Sequence, residues 1–428
     1  MVTILSSLDI DPLEHLVALC DDGEQPMIET RVLASPCGTP SQRVPLPYTP
    51  DEVDALLKVI EQPTFVAVRF QSEMPTLAGL GWLQEGRLAL PRAALLEQVG
   101  RRLYETLFPR GRVRTALSVG LSQARHARTS LTLQLHLDKE AGYLARLPWE
   151  LLHDGQGYLV RSGRLALARY IAFKAPLTPL SIQGPLRVLV VISRPQDLPM
   201  LDSKAELTGL KDSLASLAQQ QGLEVHVLPS PTWRAFVDAL ASAPYHIVHF
   251  DGHGDFGRRC PSCHRLAGLS EGRCPARSRG QVCSEPLDQV SPQGYLAFER
   301  PDGTTDWRSA ENLAAALFRN PQVRLAVLTA CRSAMVGSGL LFGGTAPALI
   351  GMGVPAVVAM QFEVPLYATA AFTEAFYAAL AERQPVVEAV ARGRAQLDDD
   401  SWYRPALYLR GRGDPHGMLF ADRSPERK

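Results

Sequence analysis

The stretch Tyr245-His-Ile-Val-His-Phe-Asp-Gly-His253-Gly254 ends an apolar, strand-like run in a histidine between two glycines. A second such run, Arg324-Leu-Ala-Val-Leu-Thr-Ala-Cys331, ends in a cysteine. Two buried strands that each hand over a reactive side chain at the carboxyl end predict an open α/β sheet with its site at that rim, where such sheets keep their ligands. A free thiol with a pKa of about 8.5 is mostly protonated at neutral pH, whereas a neighbouring imidazole can hold the thiolate and later protonate a leaving amine. Gly252 and Gly254 predict unusual backbone angles and close passage of a substrate, with the N–H groups of Gly254 and Cys331 facing a developing oxyanion. The plainer alternative for Cys331 is a small buried hydrophobe at a strand end. His249 is expected in the core, and His253, beyond the strand where the chain opens, is favoured as the base.

Outward from these runs, strands and helices alternate. Leu186–Ser193 and Leu223–Leu228 are predicted strands, and Lys204–Gln220 is an amphipathic helix with Leu207, Leu210, Leu214 and Leu217 on one face. The spacing predicts a helix over Trp233–Ser242 and further strands over 245–250, Arg324–Thr329, Pro355–Gln361 and Ala406–Arg410. This alternation implies a mostly parallel sheet covered on both faces, so the leucine stripe is core.

Upstream, a helix is predicted over Pro91–Phe108, and Ser130–Leu137 alternates as a half-buried strand would. Residues 1–87 offer strand-like runs at Val2–Leu5, Ile28–Leu33 and Phe65–Phe70, a proline-rich connection at 36–50 and a helix from Pro50 to Ile60 with Thr49 as N-cap. They suggest a small α+β unit. No repeat period is evident, and 422–428 reads as a frayed tail.

Lysine plus arginine equals aspartate plus glutamate, 44 against 44, so no global field recruits nucleic acid or an anionic membrane. The first residues carry no basic segment and meet acids at once, which argues against a secretory signal, and the seven cysteines suit a reducing, cytoplasmic setting. Residues 333–362 are uncharged, but six glycines and two prolines interrupt them, so a loop, a short buried helix and a buried strand are expected there in place of a membrane span.

Four cysteines fall together as Cys260-Pro-Ser-Cys263, Cys274 and Cys283. Four thiolates at these intervals can close a tetrahedral zinc shell, and a loop with few apolar residues needs such a metal to be ordered. His264 could replace one cysteine, and a disulfide or unligated thiols are the alternatives. The segment lies between the two reactive strands, and its arginines (258, 259, 265, 273, 277 and 279) face only Glu271 and Glu285 in sequence. It is either a basic knob for an acidic or phosphate-rich partner or a solvated loop kept soluble by its charge.

The order His then Cys, with these flanks, resembles the CHAT peptidase family, bacterial relatives of caspases and separase. Leu147-Pro-Trp-Glu-Leu-Leu-His-Asp154 resembles its "PWELL" segment, Leu186–Ser193 with Pro195 its first catalytic strand, and Gly351–Phe362 with the helix Phe372–Leu380 its cleft-lining strand and backing helix. The resemblance covers roughly residues 90–422 and implies His253 as general base, Cys331 as nucleophile, and the backbone of Gly254 and Cys331 as oxyanion hole. Gln361, Phe362 and Glu363 would line the substrate cleft. The family's acidic pair after this element is replaced here by Pro365-Leu366, which leaves specificity open, with Glu363 either a substitute or an exposed rim carboxylate.

The implied architecture is α/β, a caspase-like, mostly parallel sheet flanked by helices. An N-terminal unit (1–87) would precede a noncatalytic half (88–180) in which Trp149 anchors the core. The catalytic domain (181–423) would carry the zinc-binding insertion at 257–285. The implied function is a regulated bacterial cysteine endopeptidase, with a place in defence. Its substrate would be a partner protein, encoded nearby, of toxin or pore-forming type, or the chain itself. An activating partner fits the same reading. The alternative is an inert CHAT-fold adaptor whose basic zinc insert binds nucleic acid or an acidic or phosphorylated partner.

Overall fold

The computed structural model describes residues 11–21, 26–62, 65–137, 142–171, 177–199, 219, 222–268, 271–278, 281–329, 344–362, 364, 366–398, 400–410 and 416–422. The chain divides into two compact units, with the boundary between Tyr170 and Ile171.

In the first unit, strands β1 (Leu13–Asp21), β2 (Pro26–Ala34) and β3 (Ser41–Pro45) precede helices α1 (Pro50–Glu61), α2 (Arg92–Leu107) and α3 (Arg112–His126), and strands β4 (Leu131–Leu137) and β5 (Leu165–Ile171) follow. The strands lie in the order β5-β4-β1-β2-β3; β5, β4 and β1 are parallel, and β2 and β3 are antiparallel additions. Thr49 caps α1 as expected, within a reciprocal capping box with Glu52 and with Pro50 at the first helical turn.

Three sequence expectations change here. Phe65–Phe70 is not a strand: Ala67–Phe70 form a 3₁₀ turn, Val66 before it and Val68 within it are exposed and only Phe70 is buried, so the run never presents a face to a sheet. The proline-rich connection contains β3. The polar residues of β4, Thr132 and Gln134, are as buried as its leucines, because β4 lies between β1 and β5 and is covered on both faces. Val2–Leu5 lies outside the described residues.

The Leu147–Asp154 segment is core. Trp149 is fully buried and its indole N–H donates to the Leu144 carbonyl at 2.9 Å. Glu150 pairs with Arg169 at 2.9 Å with both side chains buried, and the same guanidinium donates to the carbonyls of Ala145 (2.6 Å) and Leu147 (3.1 Å). A buried ion pair is tolerable only when further hydrogen bonds support it, and these carbonyls supply two to the guanidinium. At Gly100 of α2 a Cβ would sit 2.1 Å from the Leu151 carbonyl oxygen, so only glycine lets the helix approach this segment.

In the second unit the main-sheet strands are β6 (Leu186–Ile192), β7 (Leu223–Val227), β8 (Ile247–Asp251), β12 (Leu325–Leu328), β13 (Ala356–Met360) and β14 (Pro405–Arg410). They are ordered β7-β6-β8-β12-β13-β14. The first five are parallel, and β14 runs antiparallel to β13. A separate antiparallel set comprises β9 (Gly254–Arg259), β10 (Gln293–Glu299) and β11 (Thr305–Ser309), with Leu266–Ala267 on the outer side of β9. The helices are α4 (Trp233–Ser242), α5 (Ala310–Phe318), α6 (Thr345–Gly351), α7 (Leu366–Ala381) and α8 (Val386–Arg394).

The fold is therefore α/β with a mostly parallel sheet flanked by helices, as the alternation predicts. One sheet face carries Leu189, Val191, Val248, Phe250, Ala326 and Leu328 into a core with Phe236, Leu313 and Leu349 from the helices and Phe298 from β10. Strand β8 is buried on both faces, its apolar Ile247, Val248 and Phe250 and its polar His249 and Asp251 alike. Of the Lys204–Gln220 stretch only Gln219 lies among the described residues.

Candidate active site and thiol cluster

The order β7-β6-β8 means that the chain leaves β6 in one direction for β7 and returns on its other side for β8. The carboxyl ends of β6 and β8 thus flank a topological switch point, where open α/β sheets form a ligand crevice. His253 emerges there, immediately after β8. Its Nε2 lies 2.8 Å from the Pro199 carbonyl oxygen. A carbonyl only accepts, so Nε2 carries the proton and Nδ1 is the basic nitrogen of the neutral ring.

Gly252 is required for a reason other than the backbone freedom expected of it. Its φ is outside the left-handed region, but a Cβ there would lie 2.9 Å from the Ser193 carbonyl oxygen and 3.0 Å from the Phe250 ring. Gly254 opens β9 opposite Leu296, and the preceding pair is bonded, with Ala297 N–H donating to the His253 carbonyl at 3.0 Å. In the alternation of an antiparallel ladder, the Gly254 N–H is then turned away from β10.

Cys331 lies outside the described residues, as does Glu363. The last described residue before Cys331 is Thr329, whose N–H donates to the Phe250 carbonyl at 3.0 Å and whose hydroxyl lies 2.9 Å from Asp251 Oδ2. Asp251 is buried and also pairs with Arg194, which follows β6 and donates as well to the Asp251 carbonyl oxygen at 3.0 Å. His249 is buried as expected. Its Nδ1 is 3.0 Å from the Tyr377 hydroxyl and its Nε2 is 3.3 Å from the Thr329 hydroxyl. Burial lowers the His249 pKa to about 4 against the opposing pull of Asp251, so the ring is neutral at physiological pH. Burial also raises the Tyr377 phenol, so it remains a donor.

Sequence reasoning singled out none of Asp251, Thr329, Arg194 and Tyr377. The usable signal was present, since Asp251 and Thr329 are polar residues inside apolar runs, and buried polar groups require partners.

Gln361 and Phe362 follow β13 and both side chains are buried. The Gln361 amide donates to the Tyr403 carbonyl at 3.2 Å, and Phe362 meets the Tyr403 ring edge-on at 6.0 Å.

The four clustered cysteines converge. Their Sγ atoms all lie within 4.8 Å of one another, with Cys260 and Cys283 3.7 Å apart and Cys263 and Cys274 3.5 Å apart. Disulfide sulfurs would be about 2.05 Å apart, whereas bonds of about 2.3 Å to one zinc place tetrahedral thiolates roughly 3.8 Å from one another. The group could hold a metal ion. Burial raises the Cys260 thiol, but the N–H groups of Cys263 and Ser262 outweigh it and bring the group down to about 7. At Cys274 burial dominates and pushes the thiol up to about 12. Four thiols this close cannot all ionise without a cation between them. Backbone geometry supports the cluster: His264 and Ser284, each following a cysteine, have φ of 61° and 53°. His264 itself is exposed, and the convergent set among the described residues is the four thiols.

Part of the arginine content serves this module internally. Arg258 donates to the Val290 carbonyl (3.0 Å), Arg259 to that of His264 (3.2 Å) and Arg273 to that of Ser284 (3.0 Å). Arg265, Arg273 and Arg277 are exposed. No helix among the described residues is long and apolar enough to cross a membrane.

Two crystal structures of the Saccharomyces cerevisiae separase–securin complex each resemble the chain with a TM-score of 0.45 and 11% identity, covering 94% of this chain and 30% of the matched one. A crystal structure of the Arg-specific cysteine proteinase gingipain R resembles it with a TM-score of 0.37 and 8% identity, covering 82% of this chain and 76% of the other. The chain thus spans less than a third of the matched chain of the separase complex. No curated protein matches it. The model of the CHAT domain matches residues 97–408, well over half of the sequence, and the chain belongs to the CHAT domain family.

Proposed function

We propose that the chain is a cysteine endopeptidase in which His253 is the general base and Cys331 the nucleophile. The thiol would pass its proton to His253 Nδ1, the thiolate would attack the scissile carbonyl, and His253 would then protonate the leaving amine. The N–H groups of Gly254 and Cys331 would receive the oxyanion. The observation that carries this reading is the joining of the ends of β8 and β12 through Asp251, two residues before His253 in sequence, and Thr329, two before Cys331. The tautomer favoured by the Pro199 carbonyl, with Nδ1 as the base, supports it.

In the same reading, residues 181–423 are the catalytic domain, 88–180 the noncatalytic half and 1–87 an accessory unit. The strand end at Gln361–Phe362 forms the floor of the substrate cleft, with Glu363 as the candidate acidic group. The four thiolates of Cys260, Cys263, Cys274 and Cys283 hold a structural zinc ion. The protein is a regulated bacterial enzyme of the cytoplasm, and its substrate is a partner protein of effector type encoded beside it, or the chain itself.

The test is co-expression of the wild type or Cys331→Ala with the proteins encoded beside it, read by intact-mass spectrometry, together with labelling by an electrophilic peptide probe. A fragment and a Cys331 adduct seen only with the wild type are expected. Absence of both would favour the adaptor reading, to which the exposed Arg265, Arg273 and Arg277 lend a basic surface.

A further inference from the structure

The polar groups at the carboxyl ends of β8 and β12 form one hydrogen-bonded chain. Asp251 is an acceptor for Arg194 on one oxygen and for the Thr329 hydroxyl on the other, at 2.9 Å. The Thr329 hydroxyl also reaches the Phe250 carbonyl at 3.2 Å, so both of its acceptors lie on β8, and Thr329 Oγ1 accepts from His249 Nε2–H at 3.3 Å. His249 Nδ1 is then the acceptor for the Tyr377 hydroxyl at 3.0 Å. Each donor finds an acceptor from α7 through β8 and β12 to the residue after Ser193, and the whole chain is buried or nearly so. Such a network couples its members, because a buried polar group that loses its partner is costly.

We propose that Asp251 and Thr329 are positioning residues for the dyad: one carboxylate ties the last residue of β8 to the first residue beyond β12, and so sets the two backbone segments that lead to His253 and Cys331. The inference rests on the dyad reading above. Neither residue touches substrate in this role. The backbone bond from the Thr329 N–H to the Phe250 carbonyl holds the strand ends side by side, the carboxylate adds a side-chain tie beside it, and a displacement of about 1 Å at reacting groups can cost about a hundredfold in rate.

The experiment is residue-resolved alkylation of the full-length protein by iodoacetamide, with the Cys331 peptide quantified by mass spectrometry between pH 5 and 9. Circular dichroism and thermal melts are recorded on the same samples. In the wild type, an ion pair with His253 gives a Cys331 inflection below the free-thiol value of about 8.5, and His253→Ala removes it. Thr329→Val, which removes one hydroxyl and keeps the volume, is expected to slow alkylation at pH 6.5 about tenfold or more while the fold persists. Asp251→Asn is expected to do the same, and Thr329→Ser to restore the wild-type profile.

A normal alkylation profile in folded Thr329→Val and Asp251→Asn would overturn the inference while leaving the dyad standing. Failure of both variants to fold would also overturn it, since the network would then be a determinant of the fold. A wild-type profile indifferent to His253→Ala would sink the dyad reading itself, and the inference with it.

Discussion

Strand β9 joins two regions with opposite sources of order. At its start is the parallel sheet, where Phe236 and Phe250 both meet Phe298, with ring centroids 5.4 and 5.1 Å away, within a large aliphatic core. At its end is the thiol module, whose buried cluster consists of Cys260, Ala267, Cys274 and Leu287. The sheet buries enough apolar surface to hold itself together. Two of the module's four buried residues are ligand candidates, so under the proposed zinc site its order would come from coordination.

Removing the metal should break this comparison most visibly. One zinc per chain is expected by elemental analysis of the wild type, and Cys274→Ser should abolish it. Metal binding contributes on the order of 10 kcal/mol to the folding of small zinc modules. Limited proteolysis should therefore cut the variant within 260–290 while the far-ultraviolet spectrum of the sheet persists. A protease-resistant, metal-free module would mean that its own packing suffices.

The converse test is Phe298→Ala, expected to cost about 3–5 kcal/mol in the sheet core. It should lower the melting temperature of the second unit without altering its zinc content.

Acid sharpens the contrast through a group in the sheet. His249 falls from the usual 6.5 to about 4 on folding because burial disfavours its charged form. The unfolded chain therefore binds the extra proton between these values, and stability is lost as pH falls from about 6.5 to 4. The shift corresponds to roughly 3 kcal/mol, visible as a pH-dependent midpoint in urea that is reduced in His249→Gln. The smallest effect is expected from Thr232→Ala. It removes the hydroxyl that accepts from the Ala235 N–H at 3.2 Å at the start of α4 and should cost about 1 kcal/mol in the same urea titration.

Much of the sheet was legible because its strands are buried on both faces and therefore carry continuous apolar runs. The α4 boundaries, Trp233–Ser242, follow from local signals, a threonine cap and an apolar face. Leu13–Asp21 was not recognised as a strand. Glu14 and His15 interrupt its pattern, and His15 is accommodated only because Thr30 on β2 and Phe108 pack against it. Phe65–Phe70 misled in the opposite direction, since aromatic and β-branched residues favour strands only where a sheet receives them.

At the candidate site, His253 and the four cysteines could be chosen from sequence because residue type and spacing carry their chemistry. Asp251, Thr329, His249 and Tyr377 could not be joined that way, for they are up to 128 residues apart and meet only where β8, β12 and α7 converge.

By itself, the sequence determined the α/β class, the position of the imidazole beyond its strand and the clustering of thiols, all of which are local in the chain. Only the tertiary structure decided that the carboxyl ends of β6 and β8 flank a switch point, that Gly252 answers to the Ser193 carbonyl, and that one buried carboxylate links two strand ends. Each of these depends on groups brought together by strand order, and strand order is set by the packing of the whole sheet.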